Sequence, residues 1–65
     1  MKTIQNNLRI HRKQKNLTQS QVAQYLGFKS IDRISKWEKG KQYPHVVNLL
    51  KMAELFACHA EELYQ

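Results

Sequence analysis

The sequence predicts an all-α fold, and three observations carry that prediction. Apolar residues recur at helical spacing, i, i+3, i+4 and i+7, while no useful run alternates apolar and polar residues at the two-residue period of a strand. The stretch Leu17–Gln21 holds a complete helix-start signature. The chain has 65 residues, a size at which helices, which satisfy their own backbone bonds, are the economical way to bury a core. With 42% hydrophobic and 25% charged residues it falls among globular sequences. Residues 1–65 read as one domain, with no internal repeat, low-complexity tract or interdomain linker.

Each element has its own signal. Ile4, Leu8 and His11 share one helical face, with Lys2, Arg9, Arg12, Lys13 and Lys15 around the rest, which predicts a first helix over residues 3–15. Thr18 and Gln21 form a capping box, and Leu17 with Val22 the accompanying hydrophobic staple, so a second helix starts at Thr18. It presents Val22, Ala23 and Leu26 inward and ends before Gly27, where a left-handed conformation costs glycine nothing. Ser30 suits the N-cap of a third helix that stops at Gly40. At about 100° per residue, Ile31, Trp37 and Glu38 fall within about 60° of Ile34, while Asp32, Lys36 and Lys39 lie opposite. The apolar side pins this helix to the body and the long polar side chains form its outer face. After the linker KQYP, Pro44 suits the start of a fourth helix over residues 45–57, whose Val46, Leu49, Leu50, Ala53 and Phe56 make it the main core helix. A last turn, Ala60–Tyr64, brings Leu63 back over the core.

Charge is polarised along the chain. Residues 1–41 hold ten Lys and Arg against Asp32 and Glu38, whereas residues 42–65 hold Lys51 against Glu54, Glu61 and Glu62. Within a net charge of +6, that asymmetry implies one surface turned to a polyanion. No apolar run approaches the roughly eighteen residues of a bilayer span, and the start MKTIQNNLRIHRK has no secretory apolar core, so the chain reads as cytoplasmic. His11, His45 and His59 lack compact metal-ligand spacing and no Gly-rich phosphate loop occurs, which argues against an enzyme and against a metal or cofactor. The lone Cys58 excludes an intrachain disulfide framework and reads as structural.

A capped short helix, a glycine turn and a second short helix with a basic outer face describe a helix-turn-helix. The stretches LTQSQVAQYLG, ISKWEKGKQYP, LLKMAELF and EEL resemble the phage repressors, Cro proteins and restriction-modification controllers of the xenobiotic-response-element type, over residues 8–63. The resemblance implies a compact five-helix, lambda-repressor-like domain in which helix three enters the DNA major groove and helix two lies across the backbone. It implies that Gln19 binds a phosphate and braces helix three. Ser30, Ile31, Asp32, Arg33 and Lys36 match the base-reading end of that helix, and Lys39, Lys41 and Gln42 its phosphate-contacting exit. Arg12 and Glu38 match an internal ion pair between helices one and three.

The residue chemistry accords with those roles. Arg33 or Lys36 suits guanine O6 and N7, Asp32 suits cytosine N4, Ile31 suits a thymine methyl, and Arg9 joins the lysines at phosphates. Asp32 and Lys36, spaced i, i+4, equally suit a surface ion pair, and Arg12 equally suits a phosphate. Four departures mark this chain: one extra residue between Gly27 and Ile34, His11 where leucine is usual, Ala57 where glycine is usual, and His59 at the last N-cap. The expected function is a sequence-specific double-stranded DNA-binding regulator, a repressor acting by operator occupancy as a homodimer. No membrane partner and no small-molecule substrate are expected. The alternative is an antitoxin or other protein-interaction module that binds DNA only with a partner, using Tyr43, Val47, Leu55 and Tyr64, the same residues that suit a homodimer contact.

Overall fold

The capping box at Thr18 is formed in full: its Oγ1 accepts from the Gln21 N–H at 3.0 Å, and Gln21 Oε1 accepts from the Thr18 N–H at 2.8 Å. The computed structural model describes residues 3–65, and these form four α-helices and one 3-10 segment: α1 Leu8–Gln14, α2 Gln19–Tyr25, α3 Asp32–Glu38, α4 Val46–Phe56 and the 3-10 segment Ala60–Tyr64. The expected fifth helix is thus a 3-10 turn, because its five residues offer too little length for a run of i to i−4 bonds. Its entry is closed by Glu62, whose carboxylate accepts from the His59 N–H at 2.6 Å.

One closure recurs at the end of every α-helix. A residue in the left-handed region follows each, namely Asn16 (φ 57°), Gly27 (φ 82°), Gly40 (φ 76°) and Ala57 (φ 55°). In each case two backbone N–H groups turn back onto the last carbonyls: Asn16 to Lys13 and Leu17 to Arg12, Gly27 to Gln24 and Phe28 to Ala23, Gly40 to Trp37 and Lys41 to Lys36, Ala57 to Glu54 and Cys58 to Ala53. This is the Schellman pattern, which satisfies carbonyls the helix leaves open.

Three helix starts differ from the sequence expectation. Residues 3–7 are not helical, so Ile4 does not stack on Leu8 along a helix face; Lys2 lies outside the described residues. The Ile4 N–H donates to the Gly40 carbonyl at 2.8 Å, Asn6 Nδ2 to the Trp37 carbonyl at 3.0 Å, and the Asn7 N–H to the Leu63 carbonyl at 2.8 Å. Asparagine amides compete with helix bonds, and here they stitch the N-terminal strand of chain onto α3 and the 3-10 segment. Second, α3 starts at Asp32 with Ile31, not Ser30, at the cap; Ser30 Oγ makes only a long 3.4 Å contact to the Asp32 N–H. Ile31 therefore precedes the helix and is 41% exposed, not inward. Third, α4 starts at Val46 behind His45, whose Nδ1 accepts from the Val47 N–H at 3.2 Å, so Pro44 precedes the cap and is itself buried.

The core gathers Leu8, Val22, Ala23, Leu26, Ile34, Trp37, Met52, Ala53, Phe56 and Leu63. From α4, Met52, Ala53 and Phe56 are buried in it and the half-buried Leu49 packs against it. Val46 (59%) and Leu50 (56%), expected inside from the helical pattern, are exposed, because they lie round the helix from the side on which Leu49, Met52 and Phe56 meet the body.

Candidate nucleic-acid interface

The outer face of α3 is made of what remains after its two anchors are buried. Ile34 and Trp37 lie at 2% and 4% exposure and fix the inner stripe, which leaves Asp32, Lys36 and Lys39 exposed on the far side. Three separate contacts then set the helix in place. Arg12 Nε donates to Glu38 Oε2 at 2.6 Å and its second nitrogen to Oε1 at 3.2 Å, a two-pronged pair between α1 and the end of α3. Both side chains are buried, at 9% and 6% exposure. The third Arg12 nitrogen donates to the Leu17 carbonyl at 2.7 Å, tying the same cation to the chain just before α2. Gln19 Nε2 donates to Glu38 Oε1 at 3.0 Å, so the first residue of α2 grips the last residue of α3. Burying an ion pair is tolerable only when its remaining donors and acceptors are occupied, as they are in this network.

On this flank the elements enclose a concave surface. Arg9 and Lys13 come from α1, Thr18, Gln19 and Ser20 from the start of α2, and Ile31, Ser35 and Lys39 from α3 and its approach, with Arg12 and Glu38 at the floor. The structure thus brings together Arg9, Gln19, Ile31 and Lys39 of the residues singled out in the sequence. Asp32 and Lys36 lie one step farther round α3, exposed to solvent. Lys41 and Gln42 follow the helix end and are exposed as well. Ser30 and Arg33 lie on the opposite flank, with Lys29 and Phe28, where the Arg33 guanidinium stands 4.8 Å over the Phe28 ring. Arg12 is occupied by Glu38 and Leu17 and is not free to meet a phosphate.

Lys13, Ser20 and Ser35 belong to the concave surface but were not singled out in the sequence. Lys13 had a readable signal: it stands four residues after Arg9 and one after Arg12, so it shares the Arg9 face. Ser20 and Ser35 carry none, since which of two flanks a short helix turns to a groove depends on where its neighbours pack.

The arrangement offers hydrogen-bond donors, one acceptor carboxylate and exposed cations along a short convex helix, with further cations beside it. Such a surface suits a polyanion with readable edges.

The helix-turn-helix family profile HTH_3 matches residues 8–63. The chain is 45% identical over 49 residues to the HTH-type transcriptional activator BcrR of Enterococcus faecalis, a match covering 75% of this chain and 24% of that protein. The chain therefore spans about a quarter of that relative's length. Among solved structures, a candidate DNA-binding protein from Bacteroides fragilis superposes with a TM-score of 0.80 at 29% identity, covering 89% of this chain and 92% of the other. The restriction-modification controller protein C.AhdI from Aeromonas hydrophila superposes with a TM-score of 0.75 at 29% identity, covering 89% and 86%.

Proposed function

From the membership of this chain in the xenobiotic-response-element type of helix-turn-helix proteins, we propose that it is a sequence-specific regulator of transcription that binds double-stranded DNA. The observation that carries this reading is the outer face of α3, held rigid by the buried Arg12–Glu38–Gln19 network while Asp32 and Lys36 stay free. Inserted in the major groove, Lys36 donates to guanine O6 and N7, Asp32 accepts from cytosine N4, and Ile31 lies against a thymine methyl, with Ser30 at the entrance. Arg9, Gln19, Lys39, Lys41 and Gln42 neutralise or hydrogen-bond the flanking phosphates and fix register without reading sequence. Arg12 and Glu38 take no part in contact; they carry the geometry.

The regulator works by occupancy, in the cytoplasm, and represses wherever its site overlaps a promoter. No reaction is carried out on the DNA. It binds as a homodimer through an apolar strip at the start of α4: Tyr43, Val46, Val47 and Leu50 are all exposed, and Val46, Val47 and Leu50 share one helical face. Leu55 and Tyr64, grouped with that contact from the sequence, are half-buried against the core. Two copies on one face of a duplex place their α3 helices about 34 Å apart.

The test is selection of bound duplexes from a random pool at near-physiological salt, followed by sedimentation of the complex. A palindrome with half-sites one helical turn apart and a two-protein complex are the expected result. A selection that returns no motif from the protein alone overturns the reading in favour of a module whose DNA binding depends on another protein.

A further inference from the structure

Arg33 is the one cation of α3 whose head group is already engaged. Its guanidinium lies 4.8 Å from the centroid of Phe28. Phe28 in turn meets Trp37 edge-on, with ring centroids 5.9 Å apart and planes at 66°. Arg33 and Trp37 are spaced i, i+4 and so stand one above the other on α3. Phe28 is thus held between two residues of α3, while its own N–H closes the end of α2 by donating to the Ala23 carbonyl at 2.8 Å.

We propose that Arg33 is a positioning residue of the DNA interface: by clasping Phe28 together with Trp37, it sets the rotation of α3 about its own axis and reads no base. The geometry supplies two clamps on opposite flanks. Gln19 and Arg12 hold Glu38 on one side, and the Phe28 clasp holds the other. Asp32 and Lys36 project from α3 on the side away from the body, so a rotation of the helix about its axis shifts both relative to the base edges they would read. Arg33 suits the task through its planar cation, which stacks on an aromatic face while remaining exposed.

This inference rests on the DNA-binding reading above. Its test compares Arg33→Ala, which removes the stack, with Arg33→Met, which keeps packing against the ring through a flexible thioether but has no donor and no charge. The motif selected by each variant, its affinity for the wild-type site and the salt dependence of binding are measured. A positioning residue predicts the wild-type motif and affinity within about twofold for Arg33→Met, a loss of about two- to fivefold for Arg33→Ala with preference weakened together at the positions Asp32 and Lys36 read, and an unchanged salt slope in both. Equal loss of preference at one base pair in both variants would make Arg33 a base reader and overturn the inference. A drop of about 0.9 in log–log slope in both would make it a phosphate contact and overturn it equally. Failure of the wild-type protein to select any motif sinks the DNA-binding reading itself, a result separable from both.

Discussion

Ala57 holds a left-handed conformation (φ 55°) that an L-residue with a Cβ adopts at a cost of about 1 to 2 kcal/mol. It does so because the α4 closure is otherwise complete, with Ala57 donating to Glu54 and Cys58 to Ala53. Ala57→Gly should therefore stabilise the protein by about 1 kcal/mol, part of the relief being offset by glycine's freer unfolded chain, and raise Tm by about 4 to 8 °C. Gly40 presents the reverse case. Its φ is 76°, and a Cβ there would collide with the Ile4 backbone, which is fastened to Gly40 by a hydrogen bond. Gly40→Ala should cost more than about 2 kcal/mol, read from the urea midpoint, and should release residues 3–7 from α3. Next to Ala57, the Cys58 thiol is pushed above its ordinary value of 9.0 by burial first and the nearby Glu62 carboxylate second, with Lys15 opposing. A raised folded value means that this thiol's contribution is fully present below the unfolded pKa and is lost as pH climbs above about 9. The pH–rate profile of alkylation by iodoacetamide should accordingly have a higher midpoint in native protein than in urea-unfolded protein; accessibility alone scales rates but leaves the midpoint where it is.

At the level of the element, α3 is a seven-residue helix, too short to persist alone, and is helical because its ends are held. Its interior was readable from Ile34, Trp37 and Glu38, whose spacing places them on one side whatever the rest of the fold does. Its first turn was less so. Ser30 has the chemistry of a cap, but its hydroxyl stands 3.4 Å from the Asp32 N–H, and Ile31 takes the position with no side-chain bond. The α1 start failed for a related reason: the bonds of Asn6 and Asn7 run to Trp37, Glu62 and Leu63, partners that no local pattern announces. The Arg12–Glu38 pair and the bracing of α3 by Gln19 were indicated by family resemblance, while the Leu17 bond that completes the network belongs to tertiary packing. Glu38→Ala strands a buried guanidinium and should cost about 3 to 5 kcal/mol. The double variant Arg12→Met with Glu38→Leu, which removes both charges at similar volume, should be more stable than Glu38→Ala in the same urea titration.

Across the whole molecule, the main basic surface and the apolar strip of α4 occupy different regions. Exposed cations line α1, α3 and the chain after it, while Tyr43, Val46, Val47 and Leu50 form an apolar strip at the start of α4. Among the described residues no helix is long and apolar enough to cross a membrane. If Lys39 and Lys41 each neutralise one phosphate, replacing both with glutamine should flatten the log–log salt dependence of DNA binding by about 1.8 while leaving the selected motif intact. Titrating a fixed duplex from low to high salt measures it, and an unchanged slope would move the backbone contact to other cations such as Arg9 and Lys13. The sequence by itself determined the all-α class, the order of the elements, the helix ends at Gly27 and Gly40, the inner stripe of α3 and the basic character of the first two-thirds. These follow from spacing, capping chemistry and charge, which act over a few residues. Tertiary structure alone decided which polar groups on α1, α2 and α3 share a concave surface, that Ile31, Val46 and Leu50 face outward, and that Arg33 clasps Phe28. Those outcomes depend on how much of each helix its neighbours cover and on bonds between residues far apart in the chain, where helical periodicity carries no information.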